Sequence, residues 1–342
     1  MKIKVSYPFE KAPEPNELIK IVDNIFWLRM PMPFSLNHIN LWLIEDNNGW
    51  TIIDSGLNLE KSKSYWLQVI KDKLKDKPIK QVICTHMHPD HMGLSGWLCK
   101  YFNAELWMSQ GEYEGYQNIS SELVSDDNTT AYDFYLSNGA NMDQAKLYDK
   151  YIGIYKTFAY PFPTSYKRLR DNDVIELGGY NWQVVIGSGH SPEHVCLWSK
   201  SLNIIISGDQ ILPTISSNIS VHPAEPNANP LNNWLTSCQN YKSLLNNTTL
   251  VLPAHGMPFT KVIQRLEGLI SEVESNLSKL TSFCKTPKRV VDGFDVLFHK
   301  KINHKTFMLA CGESRAHFNY LEKLKILHSH SDDCNVIWYK QV

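Results

Sequence analysis

The segment Cys84–Gly93 reads CTHMHPDHMG, with His86, His88, Asp90 and His91 crowded directly after the apolar run IKQVICT. Imidazole nitrogen and carboxylate oxygen are ligands that zinc takes when thiolate is absent. Burying such a cluster without a neutralising partner is expensive. His86 and His88 are two residues apart, so on an extended loop they face one side and can grip one cation together. Asp90 and His91 follow on a turn and helix start, where they point to a neighbouring position. One cluster underfills two tetrahedral sites, so further ligands must come from elsewhere.

Three other strand ends offer them. His190 sits in GSGHSPEH, Asp209 in IISGDQ and His255 in LPAHGMPF, each after an apolar run and beside a glycine that permits a tight turn. Ends of adjacent strands converge at one edge of a sheet, so all seven residues can meet there.

The elements that must carry them are readable in outline. Residues 24–56 predict strands, with HINLWLIE and GWTIIDSG joined across DNN as a hairpin. Residues 58–76 predict a helix ending before Pro78, IKQVICT a buried strand, GLSGWLCKYF a helix and AELWMS a strand. This β-α-β rhythm packs helices on a sheet. DVIELGGYNWQVVIGSG, HVCLWSK, NIIISGD, a helix near 231–246, TLVLPAHG and a long helix at 260–284 form a second β-rich half. A mostly helical insertion at about 112–170 holds nine of the sixteen tyrosines; they serve either helix packing or a roof that makes an apolar substrate pocket. Thr286–Pro287 marks a boundary, giving a catalytic domain at 1–284 and a small domain at 285–342. The latter reads helix (RVVDGFDVLFHK), helix (KTFMLACG), helix (SRAHFNYLEKLKI) and hairpin, a winged helix-turn-helix order.

Bulk properties narrow the partners. The formal charge of −1 supplies no global field for nucleic acid or an anionic membrane. No run approaches the roughly 18 apolar residues of a membrane span, and the N-terminal residues lack a secretory apolar core. Seven scattered cysteines without a C-x-x-C pair point to reduced thiols and a cytosolic location. From Lys288 to Lys340, nine Lys/Arg stand against six Asp/Glu, a net +3. That weak footprint favours packing or a homodimer over RNA binding for the small domain.

H-x-H-x-D-H followed by G-H-S, G-D and A-H-G resembles the metallo-β-lactamase fold hydrolases over roughly residues 20–260. GHSPEH, SGDQILP and LPAHGMPF carry a likeness to a bacterial-type branch with an appended winged-helix domain. That branch is similar to the lactamase-beta-like group that includes endoribonucleases, and more distantly to hydroxyacylglutathione hydrolases. The resemblance implies an α+β fold, an αββα sandwich with a metal pair at one edge and a small C-terminal winged-helix domain. It implies that His86, His88 and His190 hold one ion, that Asp90, His91 and His255 hold a second, and that Asp209 bridges them. Asp54 of IIDSG matches the family's aspartate that orients the histidine loop. Class B antibiotic-degrading enzymes place a cysteine where Asp209 stands, and the flavodiiron branch carries H-x-E-x-D where this chain has His88; both departures point away from those subfamilies.

The ligand set suits two Zn²⁺ ions, with manganese or iron also compatible. Paired ions sharing a water lower its pKa from about 15.7 toward 7, giving a bridging hydroxide that attacks a carbonyl or phosphorus centre. Asp90 is the candidate catalytic group that returns a proton to the leaving group. His194 reads as a turn or ligand-orienting residue. His38 in SLNHIN and His222 in ISVHPAEP are candidate substrate contacts, with strand packing the alternative for His38. The function expected is hydrolysis of an ester, thioester or related acyl bond in a small molecule. The rivals are a phosphodiesterase or endoribonuclease on single-stranded RNA, and a non-catalytic metal-dependent winged-helix binding protein; the complete ligand set weighs against the last.

Overall fold

The computed structural model describes residues 5–74, 77–125 and 127–342. Four antiparallel strands come first: β1 (Ile19–Val22), β2 (Ile25–Pro31), β3 (His38–Asp46) and β4 (Gly49–Ile53). Helix α1 (Glu60–Lys73) then returns the chain so that β5 (Ile79–Ile83) pairs parallel with β4. Residues 75 and 76, the expected end of that helix, lie outside the described residues. The short α2 (Pro89–Met92) and α3 (Ser95–Phe102) lead to β6 (Glu105–Met108). The insertion is α4 (Gln110–Ser125), α5 (Thr129–Ser137), α6 (Met142–Ala145) and α7 (Leu147–Phe158), and β7 (Lys167–Arg168) completes a sheet ordered β1 to β7.

The second sheet holds β8 (Val174–Leu177), β9 (Tyr180–Gly187), β10 (His194–Ser199) and β11 (Ile204–Gly208); after α8 (Pro230–Leu244), β12 (Leu250–Pro253) adds in parallel beside β11. Helix α9 (Val262–Phe283) packs outside it.

The two sheets lie face to face. Trp27, Trp42, Ile44 and Ile83 of the first share a core with Trp182, Val195, Leu197 and Ile206 of the second. Period-two alternation sends neighbouring residues of one strand to opposite faces. In β3, Trp42 and Ile44 enter that central core, while Ile39, Leu41 and Leu43 meet Trp66 and Val69 of α1 on the outside. Burial on both faces explains why HINLWLIE and NIIISG are continuous apolar runs. The layers are helix, sheet, sheet, helix. Among the described residues, no helix is long and apolar enough to cross a membrane.

The C-terminal residues differ from the expected three helices. RVVDGFDVLFHK forms a 3-10 turn (Val290–Gly293) and the one-turn α10 (Phe294–Leu297). KTFMLACG and SRAHFNYLEKLKI are one helix, α11 (Phe307–Lys323), before the hairpin of β13 (Leu327–Ser331) and β14 (Ile337–Gln341). Gly312 is no helix stop. It sits mid-helix, where a Cβ would lie 2.8 Å from Ser220 and 3.0 Å from the Val221 carbonyl. Helix propensity alone favours alanine over glycine by about 1 kcal/mol. Overpacking costs roughly 1–3 kcal/mol, so Gly312→Ala is expected to destabilise the protein in urea titration; a more stable variant would contradict the close approach.

Arg315 of α11 faces inward. It donates to Asn138 Oδ1 at 3.0 Å and lies over the Tyr339 ring. Arg289 pairs with Asp292 at 2.8 Å. Two of the cations that could have met RNA are therefore used inside the chain. Residues 285–342 share a core with the insertion, α8 and α9, through Tyr135, Tyr148, Trp234, Leu266, Phe318 and Tyr339.

Candidate metal centre

The loops after β5, β9, β11 and β12 meet at one rim of the sandwich, where the sheets are also stitched by backbone. Val195 N–H donates to Thr85 O at 2.8 Å and Asn40 N–H to Ala254 O at 2.7 Å. All seven expected ligands are present at this rim. His86, His88 and His190 each bring one donor atom to within 4.8 Å of the others, as do Asp90, His91 and His255, and as do His86, His91 and Asp209. His86 Nε2 is 2.9 Å from His88 Nδ1 and 3.3 Å from His190 Nε2. Asp209 spans the two trios. Its Oδ2 is 3.5 Å from His190 Nε2, and its Oδ1 is 3.5 Å from His91 Nε2 and 3.3 Å from His255 Nε2. Asp90 Oδ2 is 3.3 Å from His255 Nε2.

Backbone constraint places Asp209. Gly208 has φ +49°, and a Cβ there would lie 2.5 Å from the His194 ring. His194 accepts the Asp209 N–H on Nε2 at 3.1 Å. That ring therefore holds the carboxylate's backbone and offers the centre no donor.

Second partners orient the histidines. Asp54, buried and with φ +61° at the end of β4, accepts from Thr85 N–H, Thr85 Oγ1 and His91 Nδ1, each at 2.8 Å. Aspartate is among the few residues that tolerate this left-handed backbone. Thr85 Oγ1, having donated to Asp54, accepts from His86 Nδ1 at 3.1 Å. His190 Nδ1 donates to Asn218 O and His255 Nδ1 to His38 O, both at 2.8 Å. A neutral imidazole that donates from Nδ1 presents a lone pair on Nε2. His86, His91, His190 and His255 all do so, toward the centre.

That convergence is a test of fit for a cation. His91 Nε2, His255 Nε2 and Asp209 Oδ1 are buried without a hydrogen-bond partner. Buried polar atoms are rarely left so. A divalent cation would satisfy all of these convergent atoms at once. Titration behaviour agrees. Burial, then His190, holds His88 down to about 3, and burial also lowers His86 and His190, so this trio stays unprotonated as ligands must. Burial would lower His91 and His255 too, but the carboxylates of Asp90 and Asp209 outweigh it and raise both. That pocket seeks positive charge.

Glu112, near the start of α4, escaped the sequence reading. It is fully buried and takes Met87 N–H on Oε2 at 2.9 Å and Glu193 N–H on Oε1 at 2.8 Å. One carboxyl thus straps the loop of His86 and His88 to the loop of His190. Glu193 answers by accepting Gly111 N–H at 2.8 Å.

His38 has both ring nitrogens engaged, Nδ1 with Asn37 Oδ1 at 2.8 Å and Nε2 with Gly256 N–H at 2.9 Å. That leaves no free nitrogen for a substrate; the ring and its carbonyl hold the His255 loop. His222 lines a cleft of about 190 Å³ beside His190, with Met87, Ser191, Ser220, Asn229 and Asn233. The insertion's aromatics do not line that cleft. Tyr116, Tyr155 and Phe162 pack outside the first sheet with Met87 and Met92, and Tyr135 and Tyr148 outside the second.

Comparison with known proteins agrees with this geometry. The family model of the Metallo-beta-lactamase superfamily matches residues 35–255, and that of the Metallo-beta-lactamase-like, C-terminal domain matches residues 277–342. A Bacillus subtilis (strain 168) protein named "Probable metallo-hydrolase YqjP" is 24% identical over 331 residues, covering 93% of this chain and 98% of its own length. The human "Acyl-coenzyme A thioesterase MBLAC2" is 25% identical over 201 residues, 55% of this chain and 64% of that protein. The crystal structure of a beta-lactamase domain protein from Burkholderia ambifaria superimposes with a TM-score of 0.91 at 34% identity, covering 99% of this chain and 98% of that one. With its ligand loops, layered sheets and family match in place, the chain belongs to the metallo-beta-lactamase superfamily and is one of its hydrolases.

Proposed function

We propose that this chain is a two-zinc hydrolase that cleaves an ester or thioester bond in a small acyl compound, acting in the cytosol. The observation that carries the reading is the set of seven convergent donors, three of whose atoms are buried with no partner inside the protein. His86, His88 and His190 would hold one ion, Asp90, His91 and His255 the other, with Asp209 shared. When bound, such a pair supplies Lewis acidity toward a carbonyl and brings the pKa of water toward 7.

The chain's own residues do the rest. Asp54 and Thr85 hold His91 and His86 in the ligating tautomer. Glu112 keeps the two histidine loops in register. Asp90 is a carboxylate at rest: partial burial raises it, but His91 and His255 lower it further, to about 2. The carboxylate therefore takes up a proton before it passes one to the leaving group. The cleft beside His190 is lined by hydroxyl, amide, imidazole and thioether groups and by the Glu225 carboxylate, with no lysine or arginine, which disfavours a phosphate there. The likeness to a protein named as an acyl-coenzyme A thioesterase supports a thioester. With Arg289 and Arg315 engaged internally, RNA is the weaker reading.

Metal analysis followed by a turnover screen against thioesters, lactones, phosphodiesters and RNA tests this. We expect about two zinc ions per chain and thioester or ester turnover that disappears in His88→Ala. Metal-free protein, or cleavage confined to RNA with a steep salt dependence, would overturn it.

A further inference from the structure

The segment between β11 and α8 has no regular structure, yet it carries Asn218, whose carbonyl fixes the tautomer of His190. Something must hold that carbonyl still. The backbone of 209–229 has no ladder to do it, and the support comes from the C-terminal helix. Asn218 Nδ2 donates to Glu313 Oε2 of α11 at 2.6 Å. Val221 N–H donates to the Gly312 carbonyl at 3.0 Å, across the close approach that excludes a Cβ at Gly312. Ser217 Oγ, one residue before Asn218, donates to the Asp209 carbonyl. From the other side, the buried Arg265 of α9 donates to Leu212 O and Ile215 O, both at 2.7 Å. Arg265 fixes the first half of the segment, whereas Gly312 and Glu313 fix the half that touches His190.

We propose that Glu313 is a positioning residue for the metal centre: through the Asn218 side chain it sets the Asn218 carbonyl, and through that carbonyl the ligating nitrogen of His190. The C-terminal region is then part of the metal-binding apparatus although none of its residues reaches an ion. Partners that orient a ligating histidine typically change metal affinity by about 10- to 100-fold. Glu313 acts one bond further out, so the lower end of that range applies.

This rests on the reading of His190 as a metal ligand, and the experiment separates the two. Zinc affinity is measured by competition with a chromophoric chelator, and the visible spectrum of the cobalt-substituted protein is recorded, for wild type, Glu313→Ala, Glu313→Gln and His190→Ala. Glu313→Ala is expected to weaken binding of one ion by about tenfold and to change the cobalt spectrum. Glu313→Gln keeps an oxygen for Asn218 Nδ2 and is expected to behave as wild type in both. Unchanged affinity and spectrum in Glu313→Ala, or equal damage in Glu313→Gln, would overturn the proposal. His190→Ala binding metal as well as wild type would instead overturn the ligand reading beneath it. Should Glu313→Ala fail to fold, Asn218→Asp keeps the main chain and, above pH 7 where Glu313 is ionised, opposes it with a second carboxylate. It is expected to weaken binding similarly, with recovery in the pair Asn218→Asp/Glu313→Gln; absence of recovery counts against the proposal.

Discussion

Asp209→Ala is expected to lower turnover by more than about 100-fold, the upper range for partners that only orient a ligand, and to leave the purified protein short of metal. The reason is the two-faced position of this carboxylate. Oδ2 approaches His190 in the first trio, and Oδ1 approaches His91 and His255 in the second. Removing it takes a donor from both groups at once. It also removes the negative charge that keeps His91 and His255 raised. Asp209→Asn should be nearly as damaging, because an amide offers one oxygen where two are needed. Elemental analysis and thioester turnover check this together. A variant that keeps wild-type metal content would show that Asp209 bridges nothing.

Glu112→Gln is expected to destabilise the protein, and by more at pH 5 than at pH 8. The carboxyl's two oxygens separately receive the Met87 and Glu193 N–H groups. A glutamine satisfies one and turns an NH2 toward the other. Leaving a buried donor unpaired costs about 1–3 kcal/mol.

The pH trend follows from the proton. Burial pushes the Glu112 carboxyl up from 4.5 to about 7, against the donors Ser191, Glu193 and Met87 that pull it down. Between those values the folded chain keeps a proton that the unfolded chain has released. The group's contribution is therefore complete below pH 4.5 and fades as the pH rises through 7. The whole span is worth about 3 kcal/mol. Glutamine does not titrate, so the gap between wild type and variant should narrow with rising pH. Urea midpoints at pH 5, 6, 7 and 8 measure it. A gap that is flat, or that widens, would place the titration elsewhere.

The candidate ligands are legible in the sequence because each sits directly after an apolar strand run and beside a turn residue, so local pattern and chemistry coincide at His86, His190, Asp209 and His255. The sheets are legible for a related reason: burial on both faces leaves runs such as HINLWLIE nearly free of polar residues. The supports are not legible. Glu112 lies in an ordinary helix, and its partners are main-chain N–H groups at Met87 and Glu193, which no residue type advertises. Asn218 orients His190 with a carbonyl that any residue would have provided. Gly312 misleads for the same reason in reverse. A glycine that ends a helix and one that lets a helix pass close to a neighbour look alike until the neighbour, Ser220, is known.

Each trio of donors is drawn from both sheets: His86, His88, Asp90 and His91 follow β5, while His190, Asp209 and His255 follow strands of the other sheet. A cation held there acts as a rivet through one lip of the shell. Starving the protein of metal would then do more than idle it. The lip would rest on its strand-to-strand stitches and the Glu112 strap alone, and proteolysis of the metal-starved chain is expected to begin there.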